Sequence, residues 1–500
     1  MKILLIAYDN GSYMTFFPQG LAYITAYLED EGHEVKIYQQ DLHHYSKEHL
    51  LDFLNKNNYD AIGVGVIGGY WQYKKMKEIS WAINSCKQRN KMTYVIAGYG
   101  PSPEPEFFLR KMNADVCVVG EGEITAVELF NAIANNKSFE GITGTCYIDA
   151  ANKFIMNSSR SPISNIENIK RPRFEKFPIE IYRLRPVEGA RPTDFVMPVL
   201  SGRGCTFKCN FCYRMDKGYR QRAAESIIDE INLLKRDYGI TYIIFNDDLL
   251  MTTKQRTIEL MESFIRANNG NGIGVKWYCN ARLNFAVPEV LTLMKRAGAF
   301  FNNYGIETFD QDVWNTMKKG LTKKIVIDGV RNTYLTGIKP GLNMIWGNIG
   351  ETVETLQKAV NFLLEWDDGT QKRTIRPVTP YPGSPLYYHA IKHGLLDCNN
   401  PAEDFYENKH TNSDLLTCNF TALSDDEFHI ALYEANKTLL TNYYNAKKDL
   451  DIAQAYNLYY NHDTSFRGFR TFGAGTKNIT IGTSKLEKNI LDVNDIKNGM

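Results

Sequence analysis

Twice along its length this chain alternates short apolar runs with amphipathic helical stretches, a pattern that restricts it to parallel sheets flanked by helices. The first array holds "KILLIA", "LAYITAYLEDEG", "EVKIY", "AIGVGVIGG", a helical stretch around "MKEISWAINSC", "TYVIAGYG", and "ADVCVVGEGE" leading into "ITAVELFNAIA". Over residues 1–140 it reads as an α/β, Rossmann-like, doubly wound parallel sheet. Gly69, Gly98 and Gly120 fall where strands end, as do Gly68, Gly100 and Gly122. In open parallel sheets that edge is where ligands bind; the same glycines also serve simply as tight-turn residues.

Residues 141–194 lack clear periodicity and contain "SPISNIENIKRPRFEKFP" and "RPVEGARP", which reads as a connector. Alternation resumes at Phe195. Six strand candidates follow, "FVMPVL", "ITYIIFND", "GVKWYCN", "FFNNYGIE", "GLNMIWGN" and "TIRPVTP", separated by helical segments. The clearest helix is "SIIDEINLLKRD", whose Ile227, Ile231 and Leu234 share one face. Residues 195–398 therefore suggest a partial (βα)6 barrel. Residues 399–500 turn polar and Tyr-rich, with a long helix through "DDEFHIALYEANKTLLTNYYNAKKDL" and a loose tail at "KLEKNILDVNDIKNGM". "YNLYYNHDTSFRGFRTF" reads as helix followed by surface loop, or as a cap over the barrel mouth.

Five hundred residues favour more than one domain. With 58 basic and 57 acidic residues the net charge is +1, and no basic run suggests a nucleic-acid partner. No segment reaches the length of an apolar membrane span, and "MKILLIAYDN" is too short for a signal region. A cytoplasmic location is expected, where clustered cysteines more often bind metal or do chemistry than form disulfides.

Three of the nine cysteines stand together in "SGRGCTFKCNFCYR", as Cys205, Cys209 and Cys212. A structural zinc site normally takes four protein ligands. The nearest histidines in sequence are His49 and His389, and the nearest other cysteines Cys146 and Cys279, so a fourth would have to come from far along the chain. Three thiolates on a four-iron cluster instead leave one iron open for another ligand.

The C-x3-C-x2-C spacing, with Phe211 before the last cysteine, resembles that of radical S-adenosylmethionine (SAM) enzymes. "SGRGCTFKCNFC" is similar to the form found in the subgroup with an N-terminal cobalamin-binding domain. "YIIFNDDLL", "YGIETFD", "GNIGETVETL" and "TPYPGSPLY" resemble its later segments, in the same order. Upstream, "FPQGLAYITAYLEDEGHEV" and "ADVCVVGEGE" resemble that subgroup's cobalamin-domain motifs. One departure stands at Gly100, where the family commonly has histidine.

The resemblance implies Cys205, Cys209 and Cys212 as ligands of a 4Fe-4S cluster. It implies Phe211, Asn246, Asp247, Arg282 and Glu307 around SAM, with Asp248 in the same segment. Gly20, Gly69, Gly98, Gly120 and Glu121 stand as the cobalamin-binding candidates. "DLHHYS" lacks the glycine of a cobalt-ligating histidine motif and follows the second strand, so His43 and His44 read as solvated loop residues. Cobalamin is then expected without a protein histidine on cobalt, its lower face left to water or covered by Tyr70, Trp71 or Tyr99.

The implied chemistry is cleavage of SAM to a 5'-deoxyadenosyl radical, hydrogen abstraction from an unactivated carbon, and methyl transfer from methylcobalamin. Ring formation or rearrangement uses the same parts. The implied partners are a small-molecule or peptide substrate and an electron donor such as flavodoxin or ferredoxin. Two rivals stand beside this reading. A methylthiotransferase needs a second cysteine triad at N-terminal strand ends, whereas Cys86 falls in a helical stretch and Cys117 inside a strand. A cobalamin-binding sensor would have no use for the cysteine triad.

Overall fold

A computed structural model describes residues 1–9, 11, 16–215 and 218–464. The expected loose tail and the end of "YNLYYNHDTSFRGFRTF" lie outside the described residues.

The N-terminal sheet is built from β1 (Lys2–Ala7), β2 (Glu34–Gln39), β3 (Ala61–Gly65), β4 (Thr93–Ala97) and β5 (Val116–Val118), continued by β6 (Thr145–Ile148) and β7 (Phe154–Met156). Its order is β2-β1-β3-β4-β5-β6-β7. The first five strands are parallel, and β6 and β7 add antiparallel. The stretch read as connector therefore contributes two strands. β1 reads as an unbroken apolar run because helices cover both faces of the sheet.

The second sheet holds β8 (Val196–Val199), β11 (Tyr242–Phe245), β12 (Lys276–Ala281), β13 (Ala299–Glu307), β14 (Lys339–Trp346) and β15 (Ile375–Pro377). All six fall on the strand candidates. They pair in parallel and in sequential order, as a (βα)6 partial barrel open between β8 and β15. Met197, Ile243, Trp277, Tyr304 and Leu342 pack outward against the helices. Helix Ala224–Tyr238 stops at Gly239, whose φ of +66° suits the left-handed C-terminal turn. Between β8 and β11, β9 (Gly202–Arg203) and β10 (Arg220–Gln221) form a short antiparallel ribbon.

Beyond the barrel the chain covers both units. Helix Asp425–Tyr459 starts on a Ser424/Glu427 capping box and extends past the predicted segment. Its Phe428 stacks on Trp346 at 4.2 Å. Its Asn436 accepts from Ile375 N at 2.8 Å and donates to Ile375 O at 2.9 Å, so a side-chain amide stands where a seventh strand would pair. Before that helix, Tyr387, Leu396, Phe405 and Tyr406 insert into the core of the N-terminal unit. Tyr406 stacks on Tyr73 at 4.8 Å, and Glu407 accepts from Tyr73 Oη and from Lys77 Nζ. Burying each such ring contributes about 1.5–3 kcal/mol, so this segment docks on the first domain.

The connector also packs against the first unit. Phe17, just before helix Gln19–Asp30, packs against Phe174, Phe177 and Tyr182, with centroids 5.3–5.7 Å apart. Among the described residues no helix is long and apolar enough to cross a membrane.

Candidate active site at the barrel mouth

The ribbon of β9 and β10 brackets the loop that carries the three cysteines. Cys205 is half-buried, Cys209 buried and Cys212 exposed. Cys212 hydrogen-bonds to Cys209, which lowers the Cys209 thiol to about 6, with Lys319 and Arg282 adding to the effect; the same bond raises Cys212. The two behave as a pair holding one proton. Cys205 is close enough to Cys209 for their charges to interact. Among the described residues no three His, Cys, Asp or Glu side chains are grouped as a metal ion's ligands. The donor set is thus three thiols on one loop with two cations beside them, a chemistry that suits an anionic iron-sulfur cluster.

Asn210 holds this loop at the barrel's C-terminal mouth. Its N–H donates to Met317 O at 3.0 Å, and its carbonyl accepts from Leu386 N at 2.8 Å. Its side-chain amide pairs reciprocally with that of Asn348, at 2.9 and 3.0 Å, with both residues buried. Sequence reading missed Asn210, because its partners lie far along the chain. Asn210→Ala would strand the buried Asn348 amide, an expected loss of about 1–3 kcal/mol. The check is the denaturation midpoint, together with iron retained after gel filtration.

The SAM candidates divide. Arg282, at the end of β12, lies 3.4 Å from the Phe207 ring centroid and donates to Lys319 O. Glu307, at the end of β13, accepts from Lys319 Nζ at 2.8 Å, and all three are buried. Glu307 has φ +73°, a left-handed conformation rare for a residue with a side chain and costing about 1–3 kcal/mol. Its carboxylate folds over Gly305, where a Cβ would come within 2.2 Å of it. Phe211 is half-buried, with Lys319 Nζ 5.5 Å from its ring. Lys319, buried between Glu307, Arg282 and Cys209, was not among the sequence candidates.

Asp247 is turned inward. It is 2% exposed, accepts from Ser201 N at 2.7 Å and from the Ser201 hydroxyl, and burial raises its carboxyl to about 6. Its neighbours Asn246 and Asp248 are exposed. Inside the barrel Asn280, Asn303 and Asn343 form a chain of amides. Asn303 donates to Asn280 at 3.1 Å and Asn343 donates to Asn303 at 2.7 Å.

The cobalamin candidates lie at the carboxyl edge of the first sheet. Gly69 caps helix Tyr70–Ser85, Gly98 follows β4 with φ +106°, and Gly120 follows β5 with φ +84°. Gly20 opens helix Gln19–Asp30. A Cβ on Gly20 or Gly120 would meet nothing within 4 Å, so both border open space. At Gly100 a Cβ would lie 3.1 Å from Ile67 O, and the backbones of two loops meet where the family has histidine.

Glu121 is the last of the cobalamin candidates. Its carboxylate accepts from Arg203, Arg220 and the Ile163 N–H. His44, read as solvated, is about half exposed and its Nδ1 lies 3.1 Å from Asp9 Oδ1. Trp71 is half exposed, and Tyr99 meets Tyr213 of the cysteine loop edge-on at 6.0 Å. Of the cysteines in the methylthiotransferase reading, Cys86 ends a helix, and Cys117 faces Cys146 across β5 and β6, all buried. They form no strand-end triad.

The chain is a cobalamin-dependent radical SAM protein: residues 11–130 match the B12 binding domain and residues 199–363 the radical SAM superfamily. Among curated proteins it is 29% identical over 409 residues to an uncharacterized methyltransferase of Pyrococcus horikoshii, covering 79% of this chain and 84% of that one. It is 22% identical over 380 residues to the anaerobic magnesium-protoporphyrin IX monomethyl ester cyclase of Rubrivivax gelatinosus, covering 74% and 65%. Its fold resembles that of the radical SAM methyltransferase TsrM from Kitasatospora setae, solved with cobalamin and a 4Fe-4S cluster. The TM-score is 0.69 at 19% identity, over 87% of this chain and 88% of that one.

Proposed function

We propose that this enzyme methylates an unactivated carbon of a small molecule or peptide. The observation that carries the reading is the cysteine loop, anchored at the barrel mouth and tied by arginines to the glycine edge of the first sheet. When bound, the cluster and SAM supply the radical that removes a hydrogen, and cobalamin supplies the methyl group. Cys205, Cys209 and Cys212 would hold the cluster, and Gly20, Gly69, Gly98 and Gly120 would border the corrin. Glu307 would accept from the ribose hydroxyls of SAM. Arg282 and Lys319 put positive charge beside the thiolates and within reach of a carboxylate. Phe211, Asn246 and Asp248 complete the surroundings of SAM, while Asp247 positions the strand that precedes the cysteine loop. The exposed Cys212 edge leaves a route for an electron donor such as flavodoxin or ferredoxin, in the cytoplasm.

The test is anaerobic incubation of reconstituted protein with reductant, cobalamin and SAM labelled on its methyl group. Release of 5'-deoxyadenosine, corrin absorbance that stays with the protein, and label in a product are expected. Without 5'-deoxyadenosine the enzyme reading falls. The cyclase relative favours a second reading, a non-methylating reaction, for which 5'-deoxyadenosine appears and no product carries label.

A further inference from the structure

We infer that Glu121 couples cobalamin binding in the first domain to the geometry of the cysteine loop, so that each cofactor strengthens the hold on the other. The inference rests on the cofactor reading above and adds a positioning residue to it.

The geometry is specific. Arg203 and Arg220 stand opposite each other in the β9–β10 ribbon, at the two ends of the loop that carries the cysteines. Both reach out of the barrel domain to one carboxylate of the first domain. Arg203 Nη1 donates to Glu121 Oε1 at 3.0 Å, Arg220 Nη1 donates to Oε2 at 3.0 Å, and Arg220 Nη2 lies 2.8 Å from Oε1. Arg203 Nη2 also donates to Glu123 at 2.5 Å, and Ile163 N donates to Glu121 at 2.7 Å. The side chains of Glu121 and Glu123 are 6% and 7% exposed, and those of the arginines 15%. Little solvent screens the node.

On one side, Glu121 follows Gly120, whose N–H donates to Ser102 Oγ, and the Ser102 N–H donates to Gly98 O. Two of the glycine turns that would border the corrin are thus bonded to each other and to the residue that holds the arginines. On the other side, Arg203 is two residues from Cys205. A group that orders the glycine turns fixes Glu121, and Glu121 fixes both ends of the cysteine loop. By linkage, a cluster that orders the loop tightens cobalamin to the same degree.

The test measures hydroxocobalamin affinity of the full-length chain, stripped of iron and then after anaerobic cluster reconstitution, by absorbance of the retained corrin. Wild type is expected to bind about tenfold more tightly with the cluster. In Glu121→Gln that ratio is expected to fall to within about twofold, and Glu121→Asp, which keeps the charge, to restore much of it. Equal affinities with and without the cluster in wild type overturn the coupling, as does an unchanged ratio in Glu121→Gln. If Glu121→Gln does not fold, the wild-type ratio decides. A wild-type chain that binds no cobalamin in either state overturns the cofactor reading, and this inference with it.

Discussion

Replacing Cys205, Cys209 and Cys212 together with Ala is expected to bring iron to background and to abolish 5'-deoxyadenosine formation, while the fold persists. All three lie on a loop outside the two sheets, and although Cys209 is buried, none of them belongs to the hydrophobic clusters of either sheet. Iron quantitation and far-ultraviolet circular dichroism check both halves of the expectation. Retained iron in the triple variant would refute the ligand assignment. Loss of fold would mean that the loop has a structural role that its position does not suggest.

Lys319→Met is expected to have the second largest effect. Glu307 and Lys319 are a buried ion pair, with side chains about one-tenth exposed, beside the cysteine loop. Removing one partner leaves a carboxylate in a low-dielectric site next to thiolates, at a cost of about 3–5 kcal/mol. The left-handed backbone of Glu307 would lose the contact that holds its side chain over Gly305. The double variant Glu307→Gln/Lys319→Met removes both charges and is expected to recover a good part of that stability. Urea midpoints of the wild type, the single variant and the double variant form the test. A Lys319→Met protein within about 0.5 kcal/mol of wild type would show that the pair is not a structural unit.

What the sequence made legible was local. The six barrel strands and the five parallel strands of the first sheet could be read because their apolar runs alternate with amphipathic helical stretches. The cysteine spacing stood out because its residues are adjacent. β6 and β7 were not seen: they are short, they join an existing edge, and only two of their seven residues are buried. Lys319 and Asn210 were missed for a different reason. A lysine after a helix and an asparagine between two cysteines acquire meaning only through Glu307 and Asn348, which distant parts of the chain bring to them. Asp247 and Glu121 were read from motif position, and motif position does not say which way a carboxylate turns. The structure gives Asp247 to Ser201 and Glu121 to two arginines.

The segment that docks Phe405 and Tyr406 into the first domain bears on how the protein is made. The ribosome releases the N-terminal sheet long before those rings exist, so Tyr73, Phe107 and Phe108 wait without their final cover. The first domain is completed only after the whole barrel has emerged, which makes the order of synthesis the reverse of the order of completion.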